Sequence, residues 1–297
     1  MSPFIHQPTR LLKHIRELSA LGADARSRDH LARGMFRANL KRSHQGWSSL
    51  VNRFFGAAPV QVQLRLPLAL PFVFRPGTTD LLVLEQVFLD REYHVEPLPP
   101  ESIDYIVDLG SNIGVTAMLW AQRYPSARMV LVEPDPDNFN LLRRNTAAFR
   151  DRCVLLEAAV SDRPGRTSFF KSQREYGHSI LRTDDCLCEI QVTTMTVPEV
   201  LRTVGFPRVD LLKMDIEGGE QLVMPTIPAW KPAPHHLIAE LHPPYDVAAF
   251  TAHCSSAGLE VTRSSDAGVR SNLPFATRAA SLGPAITSVP DVQASTR

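Results

Sequence analysis

Long apolar runs are missing from this sequence of 297 residues, and none approaches the roughly 18 residues of a membrane-spanning helix. No membrane span is expected. The N-terminus also lacks the apolar core of a signal peptide, which argues against export by that route. An excess of charge of one sign is missing as well: 32 Lys and Arg stand against 31 Asp and Glu, a formal charge of +1. No overall field then points to nucleic acid or a membrane surface. Cysteine is scarce. Cys153, Cys186, Cys188 and Cys254 are the full set, and Cys186-x-Cys188 lacks the C-x-x-C spacing of zinc and redox pairs. Reduced thiols in a cytoplasmic protein are the expectation.

The chain is long enough for one full core with appendages. Residues 1–58 read as a basic N-terminal extension, with ten Lys and Arg between Arg10 and Arg53 against Glu17, Asp24 and Asp29. Leu11, Leu12, Ile15 and Leu18 recur at helical spacing. That helix docks on the body or on a second subunit, giving a homo-oligomer, or rests on an anionic surface. His6, His14, His30 and His44 have no ligand spacing. Residues 59–102 read as a preface that covers a pocket: Val60, Val62, Leu64 and Leu66 alternate as a strand, and Thr78 or Thr79 caps a helix through Phe88. From Ile103 to Arg263 strands and helices alternate as in a doubly wound α/β sheet. The spacing predicts strands at 103–109, 128–133, 153–160, 209–214, 236–241 and 258–263. Residues 264–297 are rich in Ser, Ala, Thr, Gly and Pro and are expected to be a disordered tail.

The most informative stretch is Asp104-Tyr105-Ile106-Val107-Asp108-Leu109-Gly110-Ser111-Asn112-Ile113-Gly114, a buried strand running through a glycine turn into a helix. A dinucleotide loop reads G-x-G-x-x-G. Here Asn112 replaces the middle glycine, and Asp108 before the turn would repel a pyrophosphate. S-adenosylmethionine (SAM) suits it better, with an ammonium for the acid and a carboxylate for the turn N–H groups. Glu133 ends the next strand roughly 20 residues on, where an acid accepts two ribose hydroxyls. Asp108 also reads as a plain turn or cap residue.

Loops at the carboxyl ends of parallel strands are where such sheets bind ligands. Two later strand ends are loaded with polar groups. In Lys213-Met214-Asp215-Ile216-Glu217-Gly218-Gly219-Glu220, Lys213 and Asp215 share a face, and Glu220 also reads as a helix-dipole partner. In Glu240-Leu241-His242, the acid and the imidazole share a face, and His242 is the natural general base for a hydroxyl, oriented by Glu240 or Asp215. His178, in a polar loop over 172–188, is a second candidate base or substrate contact. Asp215, Glu240 and His242 could also hold a divalent ion. The absence of an H-E-x-x-H spacing leaves metal unfavoured.

These segments, with Val132-Glu133-Pro134 and Ala158-Ala159-Val160-Ser161-Asp162, resemble the FkbM family of SAM-dependent methyltransferases over about residues 78–262. The resemblance implies a seven-stranded Rossmann-like class I methyltransferase fold and O-methylation of a sugar, glycan or secondary-metabolite hydroxyl. It places Asp108, Gly110, Ser111, Asn112 and Gly114 along the methionine end of the cofactor. Glu133 then holds the ribose, Ala159 and Asp162 flank the adenine, and Asp215, Glu217, Glu240 and His242 face the acceptor. Two other readings remain: a nucleotide-dependent oxidoreductase, and a SAM-binding module without turnover.

Overall fold

A computed structural model describes residues 8–43, 58–65, 69–93, 98–172, 179–181, 186–262 and 273–278. The chain opens with helices α1 (Pro8–Ser19) and α2 (Ala25–Ser43), followed by a hairpin of β1 (Val60–Gln63) and β2 (Pro71–Phe74) and by α3 (Asp80–Phe88). The extension is no separate unit. Leu18, Leu31 and Met35 are buried in the same cluster as Phe72, Phe74 and Leu81. Of the apolar stripe read along α1, Leu18 is buried in the body and Ile15 packs against it, whereas Leu12 is 67% exposed.

The doubly wound part then runs through β3 (Tyr105–Leu109), α4 (Val115–Arg123), β4 (Arg128–Val132), α5 (Pro136–Asn145) and β5 (Cys153–Leu156). Next come β6 (Ala159–Val160), β7 (Gly165–Ser172), β8 (Cys186–Met195) and α6 (Val197–Val204). It closes with β9 (Val209–Met214), α7 (Glu220–Val223), β10 (Pro234–Ala239), α8 (Val247–Ser256), β11 (Glu260–Thr262) and β12 (Phe275–Thr277). Helix starts follow local chemistry. Asp135 caps α5 by accepting from the N–H groups of Asp137 and Asn138, with Pro136 in the first turn. Thr196 and Glu199 form a reciprocal capping box on α6, which ends at left-handed Gly205.

Seven strands form the main sheet in the order β11-β12-β10-β9-β3-β4-β5. The chain winds outward from β3 through β4 to β5, then returns across β3 to β9 and β10. The order therefore reverses between β3 and β9, a switch point where open sheets bind ligands beyond their carboxyl ends. Apolar residues of alternating parity feed two cores: Ile106 and Met129 lie in one, Val107, Leu109, Val130 and Val132 in the other.

Two expectations need correction. The predicted strand over 153–160 divides. Cys153–Leu156 stays in the main sheet, while Ala159 and Val160 leave it to pair with β8 in a three-stranded sheet. The tail also contains structure: β12 lies antiparallel between β10 and β11. Three residues in a Ser/Ala/Thr-rich stretch carry no legible period, and burial between two strands supplies what propensity does not. Apart from residues 273–278, the stretch 264–297 lies outside the described residues.

Candidate active site

Parallel pairing sets the site's geometry. Asp108 on β3 lies in register with Lys213 on β9, and Leu109 with Val132 on β4. The turn after β3 thus sits beside Glu133, and Lys213 beside Asp108. Asp108 is fully buried, and Lys213 Nζ lies 3.1 Å from its Oδ1 and 2.8 Å from the Gly110 carbonyl oxygen. Burial raises the Asp108 carboxyl, and Lys213 opposes that rise. Asp108 Oδ2 has no hydrogen-bond partner among the described residues.

The glycine turn differs from a phosphate cradle. Gly110 N–H and Ser111 N–H donate to the Val132 carbonyl at 3.0 and 2.9 Å, and Asn112 N–H donates to Glu133 Oε2 at 2.9 Å. Ile113 N–H donates to Asn112 Oδ1 at 2.7 Å, and Gly114 N–H to the Ser111 carbonyl at 2.9 Å. Every N–H from 110 to 114 is taken. The expectation that these groups hold a ligand carboxylate is therefore corrected. What the strand ends offer is acceptors. Both glycines serve the chain's own packing, since a Cβ at Gly110 would meet the Asp215 carbonyl oxygen at 1.8 Å and one at Gly114 the Leu142 side chain at 2.8 Å.

Glu133 is buried at 5% exposure. Besides Asn112, it accepts the Asp135 N–H at 2.9 Å through Oε1. Burial pushes its carboxyl up to about 7 against these hydrogen bonds. The carboxylate keeps lone pairs for further donors. Ala159 is buried in β6, and Asp162 accepts from Ser161 at 3.1 Å and pairs with Arg163 at 3.2 Å.

At the other side of the switch point, β9 and β10 bring together Asp215, Glu217, Glu220, Glu240 and His242. His242 Nε2 lies 3.2 Å from Glu217 Oε2, and Nδ1 lies 3.2 Å from Glu220 Oε1. Burial depresses the imidazole, but the hydrogen bonds to Glu217 and Glu220 outweigh it and push it up to about 12. The orienting acids are thus Glu217 and Glu220, in place of the expected Glu240 or Asp215. Glu217 reaches His242 through a left-handed backbone, φ 52°, that sequence spacing does not reveal. Its own carboxyl is pushed up to about 7 by burial, which the His242 hydrogen bond opposes.

Tyr93 is the residue sequence reasoning missed. Its hydroxyl donates to Asp215 Oδ2 at 2.9 Å and to Glu240 Oε2 at 3.3 Å, and its ring lies 5.1 Å from Lys213 Nζ. Tyr93 thus brings residues from before the doubly wound part against the carboxylates at the strand ends. A polar aromatic in the short run before the Pro-rich linker was the available signal. Asn145 adds a second tie, accepting from the Val73 N–H at 2.7 Å and donating to the Ile113 carbonyl at 2.8 Å. His178 lies outside the described residues.

Sheet order and switch point together define a Rossmann-like doubly wound fold. Residues 108–249 match the model of the Methyltransferase FkbM domain. "Methyltransferase 1" of Beauveria bassiana is 27% identical over 161 residues, which span 47% of this chain and 64% of that protein. "2-O-methyltransferase NoeI" of Sinorhizobium fredii is 31% identical, covering 40% and 55%. "Hexuronic acid methyltransferase AglP" of Haloferax volcanii is 26% identical, covering 55% and 67%. The chain thus spans about two thirds or less of these relatives. No described helix is long and apolar enough to cross a membrane.

Proposed function

We propose that the protein is a SAM-dependent O-methyltransferase acting on a hydroxyl of a sugar, glycan or secondary metabolite. The observation that carries this is the acceptor-only character of the turn: with each N–H from 110 to 114 engaged, the strand ends suit a ligand rich in donors. SAM presents such donors in its ammonium and ribose hydroxyls. The unpartnered Asp108 Oδ2 fits the ammonium side, and Glu133 fits the ribose. Ser111, Asn112, Ala159 and Asp162 complete the proposed surroundings. A dinucleotide would need free N–H groups for its pyrophosphate, which disfavours the oxidoreductase reading.

When bound, SAM supplies an electrophilic methyl group. The chain's own work is to position the acceptor oxygen and to receive its proton. Positioning falls to Asp215, Glu217, Glu240 and Tyr93 on the far side of the switch point. Glu217, its carboxyl pushed up to about 7 by burial, accepts the proton, in place of His242, which is already protonated and holds Glu217 in position from its seat against Glu220. The name of one relative, a hexuronic acid methyltransferase, favours a carbohydrate acceptor.

The test is purification with mass spectrometry of any retained cofactor, then a transfer assay over uronic acids, aminosugars and polyketide alcohols. The expected result is a product one methyl heavier, with the methyl on oxygen. His242→Ala should lower turnover about 10²–10⁴-fold and leave SAM affinity intact. Unchanged turnover would remove His242 from the mechanism.

A further inference from the structure

The acid and imidazole groups beyond β9 and β10 also have the composition of a cation site. Asp215, Glu217 and His242 each offer one ligating atom, and the three atoms lie within 4.8 Å of one another. Two further features point to a ligand. Asp215 Oδ1 is buried and has no partner among the described residues, while Oδ2 already accepts from Tyr93 at 2.9 Å and lies 3.7 Å from Lys213. Glu220 is fully buried and directed at His242. Its Oε1 faces Nδ1 at 3.2 Å and accepts the Ile216 N–H at 3.0 Å, and its Oε2 has no partner. A histidine that binds a metal typically donates its other ring N–H to a carboxylate in this way, which fixes the ring and the tautomer.

We infer that Asp215, Glu217 and His242 Nε2 bind a divalent first-row cation, with Glu220 holding the imidazole from behind. Glu217 replaces Glu240 in the ligand set suggested by strand alternation, because it is the Glu217 carboxylate that comes within 4.8 Å of both the Asp215 and His242 ligand atoms. Two carboxylates and an imidazole form a borderline donor set that suits Mn²⁺ or Zn²⁺ better than Ca²⁺. Its use rests on the proposed O-methylation: the ion would orient the acceptor hydroxyl and lower its pKa. The site itself is testable without donor or acceptor.

The full chain, stripped with chelator and dialysed, is titrated with Mn²⁺ and followed by electron paramagnetic resonance, with Zn²⁺, Mg²⁺ and Ca²⁺ as competitors. Binding should saturate at one ion per chain, with Zn²⁺ competing better than Ca²⁺. Asp215→Asn and His242→Gln should lose it, and Glu220→Gln should weaken it about 10- to 100-fold. Exposed Asp151→Asn should bind as wild type does, and circular dichroism confirms that each variant is folded. No saturable binding to wild type, or unchanged affinity in folded His242→Gln, overturns the inference. Mn²⁺ binding without SAM binding would sink the proposed function and leave the cation site standing.

Discussion

Glu133 sits where two strand ends meet, and its behaviour should be measurable without knowing the acceptor. Its carboxyl is pushed up to about 7 in the folded chain, above the ordinary 4.5. Between those values the folded state keeps a proton that the unfolded state has released, so stability falls as pH rises through that window and levels above it. Glu217 adds to the same trend. Thermal unfolding of the ligand-free protein should accordingly be higher at pH 5 than at pH 8, and Glu133→Gln should narrow the gap. An unchanged gap would show that burial does not perturb Glu133. The identities of these residues were legible, since strand ends and acids can be read from period and spacing. Their partners were not. Glu217 reaches His242 through a positive φ, and the N–H groups of Gly110, Ser111 and Asn112 are consumed by Val132 and Glu133 at the end of β4, contacts that no local pattern encodes.

The elements of the doubly wound part were legible because buried parallel strands read as apolar runs and helices carry caps and a period. The seventh strand was not. Phe275, Ala276 and Thr277 are buried between β10 and β11, with the Thr277 hydroxyl 2.8 Å from His236 Nδ1 and the Phe275 ring stacked on His236 at 5.7 Å. Such a short strand is specified by its neighbours. Ending the chain at residue 270 would open the paired edges of β10 and β11 and expose surface now covered by Leu273 and Phe275. Each of those side chains contributes roughly 1.5–3 kcal/mol through burial. The truncated protein should unfold at markedly lower urea or precipitate. Wild-type stability after truncation would show that β12 is dispensable.

Across the whole molecule, the N-terminal helices and the hairpin extend the core that supports the glycine turn after β3. Leu31 and Met35 of α2 lie in the cluster that also contains Ile113 and Leu142, which flank that turn. The basic extension therefore cannot be removed as an accessory. Leu31→Ala should cost about 2–5 kcal/mol of stability, read as a lower denaturation midpoint in urea. A chain starting at residue 59 should fold poorly. Full stability in that shortened chain would show that the extension is accessory after all.

The central claim is that the ends of β3 and β4 form a SAM site, with acceptors from Asp108 and Glu133. Isothermal titration of the full chain with SAM, beside NAD, tests it most directly. The account predicts one SAM per chain and no NAD binding. It also predicts an affinity reduced about ten- to a hundredfold in Glu133→Ala, the loss of hydrogen bonds to a charged acceptor worth roughly 1.5–3 kcal/mol. Wild-type affinity in that variant, or NAD binding in place of SAM, would contradict it.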